Sequence, residues 1–154
     1  EQYYPEEISY WPSPNKRVVP KWLDSLKWHD SNLGSLLDDV YSALNCDLPI
    51  LAAIAMRTAF DRASELLGIE PASTFSKKLD ALETSGKVGK DERSTLNTLT
   101  DAGSAAAHRG WKPSPKELET MICIIEQFLY RVFILGKEAD ELKSKVPPKQ
   151  QKKP

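Results

Sequence analysis

The chain has 154 residues, 40% of them hydrophobic and 28% charged, with 21 basic against 22 acidic side chains and a formal net charge of −1. That length accommodates one domain of ordinary size and excludes a large multidomain enzyme. The longest clean apolar stretch, residues 48–56, contains Pro49 and stops at Arg57, well short of the ~20 residues that a membrane span requires.

The first residue is Glu1 and no basic-then-apolar leader follows, as expected of a processed product or a piece of a longer protein. The even charge balance conceals a segregation. Residues 143–154 carry five lysines and no acid, which leaves 16 basic against 22 acidic side chains in the rest. An acidic body argues against generic polyanion binding. The last twelve residues, with two adjacent prolines and little apolar surface, read as a disordered basic tail.

Pro5, Pro12, Pro14 and Pro20 keep the first twenty residues extended. Six of the thirteen aromatic residues (Tyr3, Tyr4, Tyr10, Trp11, Trp22 and Trp28) also lie within the first 28, too much apolar area to leave in water. Residues 1–19 are therefore expected to form a strap packed on the domain. The other reading of the same residues is a base-stacking surface for single-stranded nucleic acid, flanked by Lys16, Arg17 and Lys21.

From residue 20 to 142 the periodicity is helical. Trp22, Leu23 and Leu26 make a short apolar face after Pro20, and Ser31 is placed to cap a helix with Leu33, Leu36, Leu37, Val40, Tyr41 and Leu44 at three-to-four spacing. Asp47 is expected to cap a third, alanine-rich helix that ends at Gly68; Ala52, Ala55, Ala59 and Ala63 would let a neighbour approach closely. A fourth helix starts at Thr74, with Phe75, Leu79 and Leu82 inward, and Gly86 ends it. A fifth begins near Asp91 and runs through Leu96 and Leu99 towards Gly110. Ser114-Pro-Lys-Glu117 is a capping box with proline at the first helical position, opening a sixth helix that carries Leu118, Met121, Ile122, Ile125, Phe128, Leu129, Val132 and Phe133. No segment alternates as a strand does. The expected fold is an all-α bundle of five or six helices.

Few residue patterns carry chemistry. His29, Cys46, His108 and Cys123 contain no pair at metal-ligand spacing, so neither a metal nor a cofactor is expected. The two cysteines read as reduced, in keeping with a cytoplasmic setting, although a Cys46–Cys123 disulfide stays open. The glycines form no phosphate loop, and there is no nucleophile elbow. What stands out is the stretch 99–111, where Gly103 sits inside a helical pattern at a cost of ~1 kcal/mol against alanine and His108 sits at its far end. Such a histidine can serve as general acid or base, or cap its own helix.

That stretch resembles, together with Arg57-Thr-Ala-Phe-Asp61 and the residues before it, Phe75-Ser-Lys-Lys-Leu79, the Gly86-Lys-Val88 turn and the Ser114 start, the domain of unknown function 4145 family. The likeness keeps the same order from about Val19 to Leu135. The family is similar to the HEPN (higher eukaryotes and prokaryotes nucleotide-binding) helical bundles. Gly103-Ser104-Ala105-Ala106-Ala107-His108 matches the family's Gly-Asn-x-small-small-His pattern except for Ser104, and Arg57 with Asp61 matches an Arg-x-x-x-Glu-like pair.

Many HEPN proteins are metal-independent ribonucleases with four to six residues between an arginine and the histidine that follows it. The corresponding positions here are Asp101, Ala102 and Gly103, so the cation that would stabilise charge on a scissile phosphate is missing unless Arg57 or Arg109 supplies it. The resemblance therefore implies a non-catalytic dimerisation or docking module, part of a larger prokaryotic protein or defence-type system, binding a second copy, another protein or RNA. In that reading Arg57, Asp61, Ser104 and His108 form a buried polar cluster joining the third and fifth helices, with Asp101 and Arg109 alongside. The alternative it implies is a ribonuclease or nucleotide-transferring enzyme with His108 as the catalytic group.

Overall fold

The structure, a computed structural model, describes residues 17–149. Most of the expected strap (residues 1–16) and the end of the expected tail (residues 150–154) lie outside the described residues.

Helix α1 (Leu23–His29) buries Leu23 and Leu26 and ends at Asp30, which caps α2 (Ser31–Asn45) by accepting a 2.7 Å hydrogen bond from the Leu33 backbone N–H. The cap is thus one residue earlier than the expected Ser31. Arg62 then holds the Asp30 carboxylate at 2.7 Å. Leu33, Leu37, Val40 and Tyr41 form the buried face of α2.

Asp47 does not cap α3 (Pro49–Leu66), whose N-cap is Leu48. Instead it adopts φ +54, the left-handed conformation that ends α2, and the Leu48 N–H donates back to the Ala43 carbonyl at 2.9 Å. Asp47 therefore closes the preceding helix in the place glycine usually takes. Helix α3 packs against α2, α4, α5 and α6 and is the centre of the bundle. Ala52, Ala59 and Ala63 are fully buried, whereas Ala55 is only half-buried.

Gly68 (φ +85) and Gly86 (φ +71) turn the chain after α3 and after α4 (Phe75–Thr84), as their positions predict. Helix α5 (Lys90–His108) lies against α3 and α4. The capping box forms as expected: the Glu117 N–H donates to Ser114 Oγ at 3.3 Å and the Ser114 N–H donates to Glu117 Oε2 at 2.6 Å, opening α6 (Pro115–Leu129). Phe128 of α6 meets Phe60 of α3 with ring centroids 5.5 Å apart at the middle of the core.

After Leu129 the helix widens into a π-helical stretch (Tyr130–Leu135) and continues as α7 (Gly136–Lys145). The wider turn breaks the three-to-four register, and its rings pack on α1 and the residue that precedes it: Phe133 on His29 at 5.5 Å and Tyr130 on Trp22 at 5.6 Å. Counting α6, the π stretch and α7 as one rod, six helical rods form the bundle, and no strand occurs among the described residues. Lys143 and Lys145 lie on the last turn of α7, so the helix extends past residue 142, the boundary expected for the tail.

Candidate functional site

Three polar arrangements sit on this scaffold. The first is at the C-terminal end of α5. His108 is its last residue and is exposed, and Ser104, one turn earlier, is half-buried. Arg109 folds back to donate to the Asp101 carboxylate at 2.7 Å and to the Asp101 carbonyl at 3.1 Å. Asp101 and Arg109 also line an open cleft of about 420 Å³ with Thr98, Ala102, Ala105 and Trp111. His108 lies outside it. The expected buried cluster containing His108 is therefore not what forms, because the α5 end faces solvent rather than α3.

The second arrangement joins α3, α4 and α5 around Phe75. Gly103 receives the side chain of Arg57: a Cβ at Gly103 would lie 2.5 Å from the Arg57 Cβ and 3.0 Å from the Ala53 carbonyl oxygen. This is the close approach that glycine inside the helical pattern signalled. The Arg57 guanidinium stacks over Phe75, 4.3 Å from the ring centroid, and its Nε is buried with no hydrogen-bond partner. Asp61, the partner expected for Arg57, pairs instead with Lys78, a lysine only 2% exposed whose Nζ is 5.7 Å from the same ring. One helical turn separates Arg57 from Asp61, but the ring draws the arginine away.

The third arrangement ties the start of the described chain to α2 and α6. Arg17 donates to both oxygens of Glu126, from Nε at 3.3 Å and from a terminal nitrogen at 2.8 Å, and also pairs with Glu119. Glu126 accepts a further 2.5 Å hydrogen bond from the Tyr41 hydroxyl. Burial, together with that bond, pushes the Tyr41 hydroxyl well above its ordinary pKa, and the guanidinium holds the Glu119 carboxyl below the usual carboxylate range. Arg17 is thus engaged with protein carboxylates, which weakens the nucleic-acid reading of its segment. Trp28, 92% exposed, also departs from the expected packing of the early aromatics.

Beside Arg17 and Glu119 opens an apolar groove of about 420 Å³, lined by Ala43, Leu44, Leu48, Pro49, Pro113 and Leu118 among others. Next to it on the first turn of α3, Leu48, Ile50 and Leu51 are 45%, 37% and 55% exposed.

A family model described as "Domain of unknown function (DUF4145)" matches residues 38–145. The chain belongs to that family. No curated protein and no solved structure matches it. The DUF4145 match takes in α3 to α6, hence the Phe75 cluster, His108 and every groove residue except Arg17, which falls outside it with α1. Cys46 is exposed, Cys123 half-buried, and both are free thiols. Among the described residues no group of three or more His, Cys, Asp or Glu is placed to hold a metal, and no helix is long and apolar enough to cross a membrane.

Two features of this DUF4145 domain escaped the reading of its sequence. Lys78 was readable, since Phe75, Lys78, Leu79 and Leu82 fall at i, i+3, i+4 and i+7 on one helical face. The Arg17–Glu126 pair was not, because 109 positions separate its partners and no local pattern links them.

Proposed function

We propose that this domain works as a non-catalytic, HEPN-like dimerisation module, cytoplasmic and carried within a larger prokaryotic protein or system, with a second copy of the chain as its partner. The observation that carries the reading is the ridge of Leu48, Ile50 and Leu51 beside the apolar groove between α2, α3 and α6. A ridge next to a groove is self-complementary: under a two-fold axis each copy can seat its ridge in the other's groove. The groove's alanine, leucine and proline walls suit aliphatic side chains, and Arg17, Asp47, Lys112 and Glu119 supply its charged part.

The reading also draws support from the α5 end. Arg109, the cation next to His108 in the chain, is engaged with the Asp101 carboxylate. A phosphate held at His108 with its help would need that pair released.

Leu51→Lys tests the proposal. With ~1.5–3 kcal/mol for each buried leucine and two copies per interface, self-association should weaken about a hundredfold or more, measured by sedimentation, while the helical circular dichroism stays unchanged. An unaltered dimer would place the interface elsewhere. Incubation with RNA, with and without a chelator, addresses the enzymatic reading: cleavage that His108→Ala abolishes would overturn the non-catalytic proposal.

A further inference from the structure

Arg57 differs from every other arginine of the chain. Arg17, Arg62, Arg93, Arg109 and Arg131 each hold at least one carboxylate. Among the described residues, which include all six arginines, Arg57 alone has no acidic partner, and its printed contacts are the Phe75 ring and the wall at Gly103. It is nevertheless held in place. The stem lies against Gly103, the central carbon of the guanidinium lies over the ring, and Nε is sealed in without an acceptor although the residue as a whole is only half-buried. A planar cation fixed by stacking, with its far edge unclaimed, is pre-organised for a bidentate oxyanion.

The surroundings favour a doubly charged ligand. Lys78 brings a second cation to the same ring, and Asp61 is the single carboxylate paired there. Two cations against one carboxylate make a local positive site on an otherwise acidic body. We propose that Arg57, seated on Phe75 and supported by Lys78, is a receptor for a phosphate group, which it takes end-on through its two terminal nitrogens. The site is separate from the groove, so a monomeric protein that binds phosphate would leave this inference standing.

The test uses the full chain labelled with 15N, following the arginine Nε–H signals as inorganic phosphate is added at constant ionic strength. The signal missing from the Arg57→Lys spectrum should shift and saturate at millimolar phosphate, with the other five little changed. Phosphate should raise the melting temperature of the parent chain and not that of Arg57→Lys. Phe75→Leu, which keeps an apolar side chain there and removes the stack, should bind phosphate at least fivefold more weakly, and it serves as the readout if Arg57→Lys does not fold. Phenyl phosphate separates the sources: tighter saturation by the ester assigns a phosphomonoester, and equal saturation assigns the free ion. The proposal is overturned if no arginine signal saturates, if chloride produces the same shift, or if Phe75→Leu binds phosphate as the parent does.

Discussion

Arg17 and Arg57 are both half-buried arginines on the flanks of one bundle, yet they perform opposite tasks. Arg17 is closed off: Glu126 takes both of its near nitrogens, Glu119 adds a second carboxylate, and Tyr41 completes the network from α2. Arg57 is fixed by shape and stacking, with an aromatic ring where its counterpart has acids. The difference shows that an arginine's role follows from which groups the helices bring to it. A satisfied network fastens elements together, whereas a stacked, uncompensated cation is available to something outside the chain.

The comparison can be broken most severely at Glu126. Glu126→Ala leaves the Arg17 guanidinium and the Tyr41 hydroxyl without their shared acceptor at a place where the glutamate is only 16% exposed. Urea denaturation should show a loss of about 2–4 kcal/mol. A loss below ~0.5 kcal/mol would mean the network fastens nothing.

On the other flank the structural element is Gly103, not the charge. Gly103→Ala places a Cβ 3.0 Å from the Ala53 carbonyl and against the Arg57 stem, so α3 and α5 must separate. Overpacking should cost about 1–3 kcal/mol, more than the gain of up to ~1 kcal/mol from alanine's helix propensity. Thermal denaturation reads the sign directly, and a stabilised variant would refute the close approach.

The smallest effect concerns acid. Glu119 has its folded-state pKa lowered by Arg17, so its contribution is complete above the ordinary carboxylate value of about 4.3 and disappears as pH falls through the lowered value. Glu119 is well exposed, so Glu119→Gln should cost under about 1 kcal/mol at pH 7, with the gap to the parent closing below about pH 4. Arg57→Gln should show no such closing gap, since no carboxylate faces that guanidinium. Equal acid behaviour of the two variants would erase the distinction between the flanks.

Much of this organisation is legible in the sequence, and the reasons are local. The capping box at Ser114, the stops at Gly68 and Gly86 and the apolar faces of α2, α3 and α6 depend on residues within a few positions of each other. An aspartate between two helices suits either role, and only the left-handed φ of +54 decides that Asp47 closes α2 rather than capping α3. The π-helical stretch carries no sequence signature, since Tyr130 to Leu135 read equally well as ordinary helix. At the candidate site, Gly103 and Arg57 were visible as unusual residues, but their contact was not, because it joins two helices across the bundle. His108 drew attention through its neighbours in sequence and proved to face solvent.

The central claim, that the ridge and groove serve to pair two copies, is tested most directly by the molar mass of the chain in solution. Light scattering at micromolar concentration should give twice the 17.3 kDa of a single chain, falling to the single-chain mass in Leu51→Lys. A parent chain that stays at the single-chain mass across that range would contradict the account.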